Sequence, residues 1–280
     1  MTVFELQKQI IAILEAGGCE TPAFDAMCLL EDIGEIGRGR VTASHDLTVS
    51  PSRKNAVLNA AKRRADGEPL QYLLGTWDFL DLTLDVGEGV LIPRPETELL
   101  CQLAAEYLQK LPNKHVYDLC AGSGCVGLGV ASLCREASIT AVELSNQAFI
   151  YLQRNIARYS DLNITTAQAN ILTEYDRFQG PIAAIVSNPP YIPTRDLDSL
   201  QREVQHEPRM ALDGDEDGYL FYRAIAEHWL PKLSADGFVA VEVGIGQAQT
   251  VVELFRQHGL VHTSVHSDFA GIERVVLAQR

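Results

Sequence analysis

A short segment after a predicted buried strand carries an amide, two prolines and a phenol, a combination that suits chemistry on a substrate amino group. Residues 183–194 read AAIVSNPPYIPT, and the apolar run ends at Asn188, Pro189, Pro190 and Tyr191. The side-chain carbonyl of Asn188 and the backbone carbonyl of Pro189 are hydrogen-bond acceptors, and the prolines fix their directions at little entropic cost. Two convergent acceptors suit an –NH2 group, and the Tyr191 ring offers a flat wall for a planar amide or base.

These acceptors favour methyl transfer to a planar nitrogen. The lone pair of such a nitrogen is delocalised, so it attacks poorly until acceptors hold both N–H bonds and favour a pyramidal geometry. No base is needed before the attack, because the nitrogen becomes acidic only after methylation. We therefore predict Asn188, Pro189 and Tyr191 as catalytic residues. The alternative is an Asx cap at a proline turn, which is the usual explanation of an isolated Asn-Pro-Pro.

A glycine turn supplies a second candidate binding element. Residues 122–127, GSGCVG, fit G-x-G-x-x-G, directly after the predicted strand HVYDL (115–119) and at the start of a predicted helix. Glycines allow a tight turn and the close approach of a ligand to the bare backbone, with helix N–H groups facing it. Alone, the pattern fits folds that bind NAD, FAD or S-adenosylmethionine.

Two acidic residues sharpen this pattern: Asp118 favours S-adenosylmethionine, whereas Glu143 suits NAD and S-adenosylmethionine equally. Asp118 lies four residues before the first glycine, where a carboxylate would repel a pyrophosphate but suits a cationic amino group or sulfonium. Glu143 ends the next predicted strand, where its two oxygens can accept both hydroxyls of a ribose. The alternative is that Asp118 caps a helix or pairs with a lysine, and that Glu143 is a surface strand end.

The elements that position these residues alternate from residue 97 onward. Predicted strands lie at 115–119, 138–144, about 162–168, 183–188, 237–243, 261–266 and 272–278, with helices to about 133, at 146–158, 217–232 and 247–257. Such alternation predicts an α/β fold with a doubly wound, mainly parallel sheet. Because ligands bind at the carboxyl ends of such strands, Asn188 and the glycine turn should face one crevice.

The first 65 residues are predicted to be helical. Thr2 and Glu5 form a possible capping box, Gly17-Gly18 ends that helix, and Thr21-Pro22 and Ser50-Pro51 are typical helix starts. The third helix carries a basic cluster at 53–64, either a solvated face or a contact surface for an acidic or RNA-bearing partner. Alternating apolar residues in 68–92, Tyr72 included, predict a hairpin or paired extended segments between two domains.

The composition is that of an acidic globular protein. The chain has 280 residues, 46% of them hydrophobic, and a net charge of −14, which argues against a sequence-independent grip on phosphate backbones. Six cysteines without a CxxC pair predict reduced thiols, and we assign no metal ligands. No signal peptide and no apolar run of membrane length is recognised, so we expect a cytoplasmic protein with no membrane contact.

With these residues identified, most of the chain beyond the first helices resembles the HemK/PrmC family, the release factor glutamine N5-methyltransferases. The Asn-Pro-Pro-Tyr motif alone is shared with enzymes that methylate amino groups of DNA and RNA bases, whereas IPRPETE is more specific. The matching segments are GEPLQYLLG (67–75), VLIPRPETE (90–98), DLCAGSGCVGL (118–128), SNPPYIP (187–193), EPRMALDGDEDGYLFYR (207–223), VEVGIGQ (241–247) and DFAGIERVV (268–276).

The resemblance implies a helical substrate-recognition domain (1–74), a hairpin linker (75–92) and a Rossmann-like seven-stranded S-adenosylmethionine-dependent methyltransferase domain (93–280) whose last strand is antiparallel. It implies methylation of the glutamine side-chain amide in the Gly-Gly-Gln motif of peptide chain release factors, with S-adenosylhomocysteine as product. The cofactor would contact Asp118, Cys120, Ala121, Gly122, Ser123, Gly124, Glu143, Asn170, Ile171 and Asn188, and the substrate Asn188, Pro189, Pro190, Tyr191 and Arg94.

The loop from Arg94 to Glu98 would close over the site. Four positions depart from the usual pattern: Cys120 stands where glycine is common, Glu143 where aspartate is common, Asn170-Ile171 in place of an acid, and His206 where phenylalanine is frequent. Glu143 keeps the carboxylate with a longer reach. Asn170 loses a pure acceptor but can still hydrogen-bond adenine.

Three other functions compete with this prediction. The first is an N-methyltransferase acting on adenine or cytosine of nucleic acid, which the acidic charge disfavours. The second is a scaffold that binds S-adenosylmethionine without turnover, and the third is a nicotinamide dehydrogenase, which Asp118 disfavours. We expect a monomer whose partner is a release factor and which does not bind nucleic acid directly.

Overall fold

The computed structural model describes residues 1–43 and 47–280, which form two compact units. One comprises Met1–Thr76 together with Gln201–His206, and the other comprises Trp77–Leu200 together with Glu207–Arg280. The inclusion of Gln201–His206 in the first unit was not predicted. No local pattern signals it, because it depends on a side-chain contact over a long sequence separation.

The first unit is helical. Its helices are α1 (Val3–Ala16), α2 (Pro22–Cys28) continued by a π turn (Leu29–Ile33), α3 (Arg38–Ala43), α4 (Pro51–Ala65) and α5 (Leu70–Leu74). The predicted capping box of α1 is confirmed: Thr2 Oγ1 accepts from the Glu5 N–H at 3.2 Å, and Glu5 Oε2 accepts from the Thr2 N–H at 2.9 Å. Ser50 Oγ caps α4 in the same way, by accepting from the Arg53 N–H.

Arg64 holds the returning segment in the first unit. It is only 7% exposed and donates to Asp25 at 2.7 Å and to Glu203 at 2.8 Å. The prediction that the whole basic cluster lies on a solvated or partner-facing surface is therefore wrong for Arg64. Burial of a guanidinium requires such carboxylate partners, because an unpaired charge would be strongly destabilising.

The predicted extended pairing in 68–92 is only partly confirmed. Strands β1 (Thr76–Phe79) and β2 (Leu82–Asp85) form the hairpin, but Tyr72 lies in α5. Pro69 precedes that short helix, and Gly75 ends it with φ +80°, a conformation that glycine adopts without steric cost. Tyr72 was misassigned because one helical turn and a short alternating run look alike in sequence.

The second unit contains a seven-stranded sheet. Its elements are α6 (Thr97–Gln109), β3 (His115–Leu119), α7 (Cys125–Leu133), β4 (Ser138–Glu143), α8 (Asn146–Arg158), β5 (Ile164–Gln168), β6 (Ile182–Ser187), α9 (Leu220–Ala224), β7 (Leu233–Glu242), α10 (Ala248–Gln257), β8 (His262–Ser267) and β9 (Glu273–Gln279). The strand order is β5-β4-β3-β6-β7-β9-β8; β9 pairs antiparallel with both β7 and β8, and the other four strand pairs of this sheet are parallel. This confirms the predicted α/β class and the antiparallel last strand.

Hydrophobic cores cover both faces of the sheet, as the fully apolar strands require. On β6, Ala184 and Val186 belong to the cluster that includes α6 and α7, whereas Ile185 belongs to the cluster with Trp229 and Phe255. The predicted helix at 217–232 consists of α9, a π turn (Ile225–Trp229) and a 3-10 turn (Leu230–Lys232).

The strand register brings the predicted site residues to the carboxyl ends of the central strands. Leu119 at the end of β3 pairs with Val142 of β4 on one side and with Ser187 of β6 on the other. The strand order reverses at β3, so the chain leaves the sheet in opposite directions there and opens a crevice. Cys120 and Asn188, each one residue later, therefore enter the same crevice.

Two further observations concern the cysteines and the helices. All six cysteines are free thiols. Across residues 1–43 and 47–280, no helix combines the length and apolarity needed to cross a membrane.

Candidate active site

A cavity lies at the carboxyl ends of β3, β4 and β6. Its wall contains most of the predicted residues, together with others that were not predicted. The predicted ones are Arg94, Cys120, Ala121, Gly122, Ser123, Glu143, Asn170, Ile171, Asn188 and Pro190, and the additional ones include Leu91, Ile92, Thr97, Val142, Leu144, Ala169, Met210 and Phe221. Asp118, Gly124, Pro189 and Tyr191 were predicted but are not on this wall.

The two glycines of the turn face different surroundings. Gly122 has φ +56°, and a Cβ built on it would meet no atom within 4 Å, so its bare backbone borders open space. Gly124 has φ +84°, and its Cβ would lie 2.7 Å from Leu152 Cδ1. Gly122 therefore exposes backbone to a ligand, whereas Gly124 is required for packing against α8.

Asp118 is buried beneath the glycine turn rather than exposed to the cavity. Its Oδ2 accepts from the Gly127 N–H at 2.8 Å, and Oδ1 has no partner among the described residues. Burial raises the pKa of Asp118 to about 7, against the opposing effect of the Gly127 hydrogen bond. Its placement corrects the expectation of direct contact with a cationic ligand: Asp118 anchors the first turn of α7, on which the loop rests.

Glu143 lies on the cavity wall and is 8% exposed, so it is not a surface strand end. Its Oε2 accepts from the Gly122 N–H at 2.8 Å and its Oε1 from the Ser145 N–H at 2.6 Å. Burial raises the pKa of Glu143, and these backbone donors oppose the rise. Because a carboxylate oxygen has two lone pairs, each can accept one further hydrogen bond from a diol.

Asn155 on α8 fixes the glycine turn from the other side and was not predicted. It is fully buried, its Nδ2 donates to the Ser123 carbonyl at 2.9 Å, and it also bonds the backbone of Asp85. A buried asparagine within a helical pattern is a usable signal, because it requires partners for both ends of its amide.

Asn170 and Ile171 form another part of the wall. Asn170 Oδ1 accepts from the Leu172 N–H at 2.9 Å, which leaves its NH2 group to face a ligand. The side chain of Ile171 is 4% exposed, and its carbonyl accepts from Trp229 Nε1 at 3.0 Å. A donor beside an apolar surface suits a ring nitrogen of a purine.

Asn188 is held by a pair of side chains that sequence analysis did not identify. Its Nδ2 donates to Thr97 Oγ1 at 3.2 Å, and Thr97 Oγ1 donates to Glu242 Oε2 at 2.5 Å. Because the NH2 end is engaged, the carbonyl Oδ1 is the end available to the cavity. Burial raises the pKa of Glu242 to about 7, while the Thr97 hydrogen bond and nearby Arg274 oppose that rise.

Pro189 and Pro190 are both buried, and Pro190 lies on the wall. The Tyr191 carbonyl accepts from Gln247 Nε2 at 2.9 Å, and a Cβ on Gly244 would lie 3.0 Å from Tyr191 Cδ2. Burial raises the pKa of Tyr191. The ring is thus packed beside Gly244 and is not part of the cavity wall, in contrast to the predicted flat wall for the substrate.

Arg94 reaches the wall as predicted, and Glu207 holds it there. Arg94 Nη2 pairs with Glu207 Oε1, and Glu207 Oε2 accepts from the Ile92 N–H at 3.0 Å. The Glu207 side chain is 1% exposed and that of Arg94 is 32% exposed, so the carboxylate is sheltered from water while the guanidinium is partly exposed. Over the described part of the chain, no group of three or more acidic, histidine or cysteine residues could hold a metal ion.

Comparisons with known proteins identify chains that are similar to this one. The family model described as PrmC N-terminal domain matches residues 5–75, and the one described as Methyltransferase small domain matches residues 97–221. The chain is 38% identical over 263 residues to a release factor glutamine methyltransferase of Geobacter sulfurreducens, covering 92% of this chain and 90% of the relative. It is 34% identical to that of Moorella thermoacetica, covering 100% and 99%.

Among solved structures, the chain is similar to the hMettl16 catalytic domain in complex with the MAT2A 3′UTR hairpin 6. The TM-score is 0.60, the identity is 13%, and 89% of each chain is covered. At that identity the similarity shows the fold alone.

Proposed function

The chain belongs to the family of release factor glutamine methyltransferases, and on that premise we propose that it methylates the side-chain amide nitrogen (N5) of the glutamine in the Gly-Gly-Gln motif of peptide chain release factors. The methyl donor is S-adenosylmethionine. The observation that carries the proposal is the orientation of Asn188, whose NH2 end is engaged by Thr97 while its carbonyl end is left for a substrate amide.

The residues of the cavity fit S-adenosylmethionine. Gly122 leaves open space where a side chain would stand, as a ligand that packs on backbone requires. Glu143 can accept the ribose hydroxyls, and the Asn170 NH2 can donate to the base between the apolar side chains of Val142 and Ile171. When bound, this cofactor supplies an electrophilic methyl group. Buried acidic groups on this side of the sheet favour its cationic charge.

The protein's part in the reaction is positioning and charge stabilisation. Asn188 Oδ1 and the Pro189 carbonyl accept the two N–H bonds of the substrate amide, which favours a pyramidal nitrogen and directs its lone pair. Positive charge develops on that nitrogen during the attack, so acceptor dipoles stabilise the transition state more than the ground state. After methylation the nitrogen is acidic, and its proton leaves through these acceptors.

Arg94 and Pro190 lie on the cavity wall, and in this proposal they border the substrate. In this proposal Arg94 contacts the release factor backbone beside the reacting glutamine, and Pro189 and Pro190 keep the acceptors fixed. The helical domain (1–74) recognises the protein substrate, and the methyltransferase domain (93–280) performs the transfer. The hairpin (75–92) connects these two domains. In this proposal the protein works in the cytoplasm, where release factors act, as a monomer that does not bind nucleic acid directly.

The test is incubation of the chain with release factors and labelled S-adenosylmethionine, followed by peptide mass mapping. We expect one methyl group on the glutamine of Gly-Gly-Gln. Asn188→Ala should lower the rate by roughly 100-fold or more, because a preorganised charge-stabilising group is lost. Asn163→Ala, which removes an exposed asparagine before β5, is the matched control and should keep the rate.

DNA and RNA form the second arm of the experiment. The Asn-Pro-Pro-Tyr motif is compatible with amino groups of bases, but a net charge of −14 disfavours a nucleic-acid surface. We expect no label on either nucleic acid and little effect of salt on release factor methylation. Label on a base, or on another residue type of the release factor, would contradict the proposal.

A further inference from the structure

Three side chains from separate elements form a hydrogen-bonded line behind the reacting position. Glu242 ends β7, Thr97 is the first residue of α6, and Asn188 follows β6. Thr97 donates to Glu242 at 2.5 Å and accepts from Asn188 at 3.2 Å. Thr97 and Glu242 are 0% and 2% exposed, so water is not available to replace either partner.

The direction of this line decides which end of the Asn188 amide faces the cavity. An amide has a carbonyl end and an NH2 end of similar size, and a hydroxyl can either donate or accept. An ionised carboxylate only accepts, so the Thr97 hydroxyl donates its hydrogen bond to Glu242, and a lone pair of Thr97 Oγ1 is left directed at Asn188. Only the NH2 end of Asn188 can bond to that lone pair.

The surroundings keep Glu242 in place as an acceptor. Burial raises the pKa of Glu242 to about 7, while the Thr97 hydrogen bond, Arg274 and Arg94 oppose that rise, so above that pH Glu242 is a carboxylate that accepts from Thr97. The Glu242 backbone carbonyl accepts from the Tyr222 hydroxyl at 2.8 Å, which fixes the end of β7. Thr97 itself is held by the first turn of α6, where its N–H donates to the Arg94 carbonyl at 3.0 Å.

We propose that Thr97 and Glu242 are positioning residues that set the polarity of the Asn188 amide and thereby select a substrate amide over a carboxylate. This inference rests on the proposed function. With the carbonyl end exposed, Asn188 binds the –NH2 of glutamine and repels the oxygens of glutamate. A reversed amide would present donors, which suit a carboxylate and cannot hold a substrate –NH2.

The test compares Thr97→Val with Thr97→Ser. Valine keeps the shape of threonine but cannot hold the NH2 end of Asn188, so kcat on a release factor should fall by about tenfold or more, the loss expected for about 1.4 kcal/mol of hydrogen bonding. Serine keeps the hydroxyl and should restore most of that activity. Thr97 lies on the cavity wall, so kcat is measured at saturating S-adenosylmethionine, with the affinity of each variant for it determined by calorimetry.

A second readout separates amide polarity from general damage. A release factor carrying Gly-Gly-Glu in place of Gly-Gly-Gln is used as a competitive inhibitor. In Thr97→Val the Asn188 amide is no longer held and can reverse, which favours a carboxylate over an amide. The inhibition constant of the Gly-Gly-Glu factor, divided by the KM of the Gly-Gly-Gln factor, should therefore be about tenfold lower than in wild type. A merely structural defect would weaken the binding of inhibitor and substrate alike and leave the ratio unchanged. An unchanged ratio would overturn the inference.

Glu242 is tested independently, so the inference stays falsifiable even if Thr97→Val does not fold. Glu242→Gln can present either a donor or an acceptor to Thr97, and we expect the inhibitor ratio to fall less than in Glu242→Leu. Equal ratios in wild type, Glu242→Gln and Glu242→Leu would overturn the inference. If wild type itself leaves the release factor unlabelled, the proposed function fails; a labelled wild type with unaffected variants counts against the positioning role alone.

Discussion

Gly122 and Gly124 share a left-handed backbone but serve different purposes. A side chain at Gly122 would project into the cavity, where a ligand approaches the turn, whereas one at Gly124 would collide with Leu152. Positive φ costs a non-glycine residue about 1–2 kcal/mol at either position. Only the space around each Cβ differs, so the two glycines can be separated experimentally into a ligand requirement and a packing requirement.

We expect Gly122→Ala to weaken S-adenosylmethionine binding by about tenfold or more, because the added Cβ occupies space that the ligand would contact. A tenfold loss of affinity corresponds to about 1.4 kcal/mol of binding free energy. Gly124→Ala should instead lower the free energy of unfolding by roughly 1–3 kcal/mol beyond the backbone strain, through overpacking against Leu152. Denaturant unfolding and calorimetric titration measure the two effects.

Gly259→Ala is the matched control for backbone strain. Gly259 follows α10, has φ +89°, and its Cβ would meet nothing within 4 Å. It should show the strain alone, with normal cofactor affinity. Equal cofactor affinities in the three variants would contradict the assignment of Gly122 to the ligand.

At the scale of elements, the segment that precedes α6 depends on a distant carboxylate for its position. Residues 91–96 contain two prolines and no regular secondary structure, so they cannot be held by a backbone ladder. Glu207 holds this segment by two contacts: it accepts a hydrogen bond from the Ile92 N–H and forms an ion pair with Arg94. Since Leu91, Ile92 and Arg94 line the cavity, this one side chain shapes its wall.

Removal of that carboxylate should be costly. Glu207→Ala leaves a buried N–H at Ile92 without a partner, and we expect the free energy of unfolding to fall by about 1–3 kcal/mol, with a higher KM for the release factor. Glu207→Gln keeps a neutral acceptor for Ile92 and should lose less. Denaturant unfolding and steady-state kinetics on the same preparations check both, and unchanged stability of Glu207→Ala would rule out this role.

For the whole molecule, the notable electrostatic feature is a set of acids buried near one edge of the sheet in a chain that is already acidic. Burial raises the pKa values of Asp118 and Glu242 to about 7, and it raises the pKa of Glu143 as well. Asp118 and Glu143 lie near the carboxyl ends of the neighbouring strands β3 and β4, and Glu242 ends β7, with β6 between β3 and β7. A cationic ligand at these strand ends would offset the cost of ionising buried carboxyl groups. Carboxyl groups whose ionisation is unfavourable therefore lie near the place where the proposed cofactor would carry positive charge.

This arrangement predicts how stability depends on pH without cofactor. For Asp118, the folded pKa of about 7 lies above the ordinary value of 3.8, so the folded chain binds an extra proton between these values. The resulting contribution to stability is present at low pH and is lost as the pH rises toward 7.

Asp118→Asn cannot ionise and should be less sensitive to pH. The melting temperature of Asp118→Asn minus that of wild type should be higher at pH 8 than at pH 5. The increase should be roughly 2–4 °C for each kcal/mol by which ionisation of Asp118 destabilises the wild type. Thermal melts at both pH values, in the absence of cofactor, provide the measurement. A constant difference between variant and wild type would show that Asp118 does not titrate in this range.

Local patterns were enough to determine most of the second unit. Strand 115–119 and helix 146–158 agree with the structure, because period-2 and period-3.6 patterns and glycine turns reflect physics within a few residues. The placement of Asn188 directly after a buried strand followed from the same reasoning. The antiparallel last strand was expected from the resemblance and not from these patterns. The choice of a protein glutamine over a nucleobase came from the resemblance and the acidic charge, since the acceptors alone suit either amino group.

The tertiary structure decided what the side chains contact. Thr97, Glu242 and Asn188 are far apart in the sequence, as are Arg64 and Glu203, and no short-range pattern states that they meet. Packing also put Asp118 beneath the glycine turn and Tyr191 beside Gly244, although both residue types would suit a cavity wall. The sequence thus determined which groups reach the carboxyl edge of the sheet, whereas the orientation of each group depended on neighbours that only folding brings together.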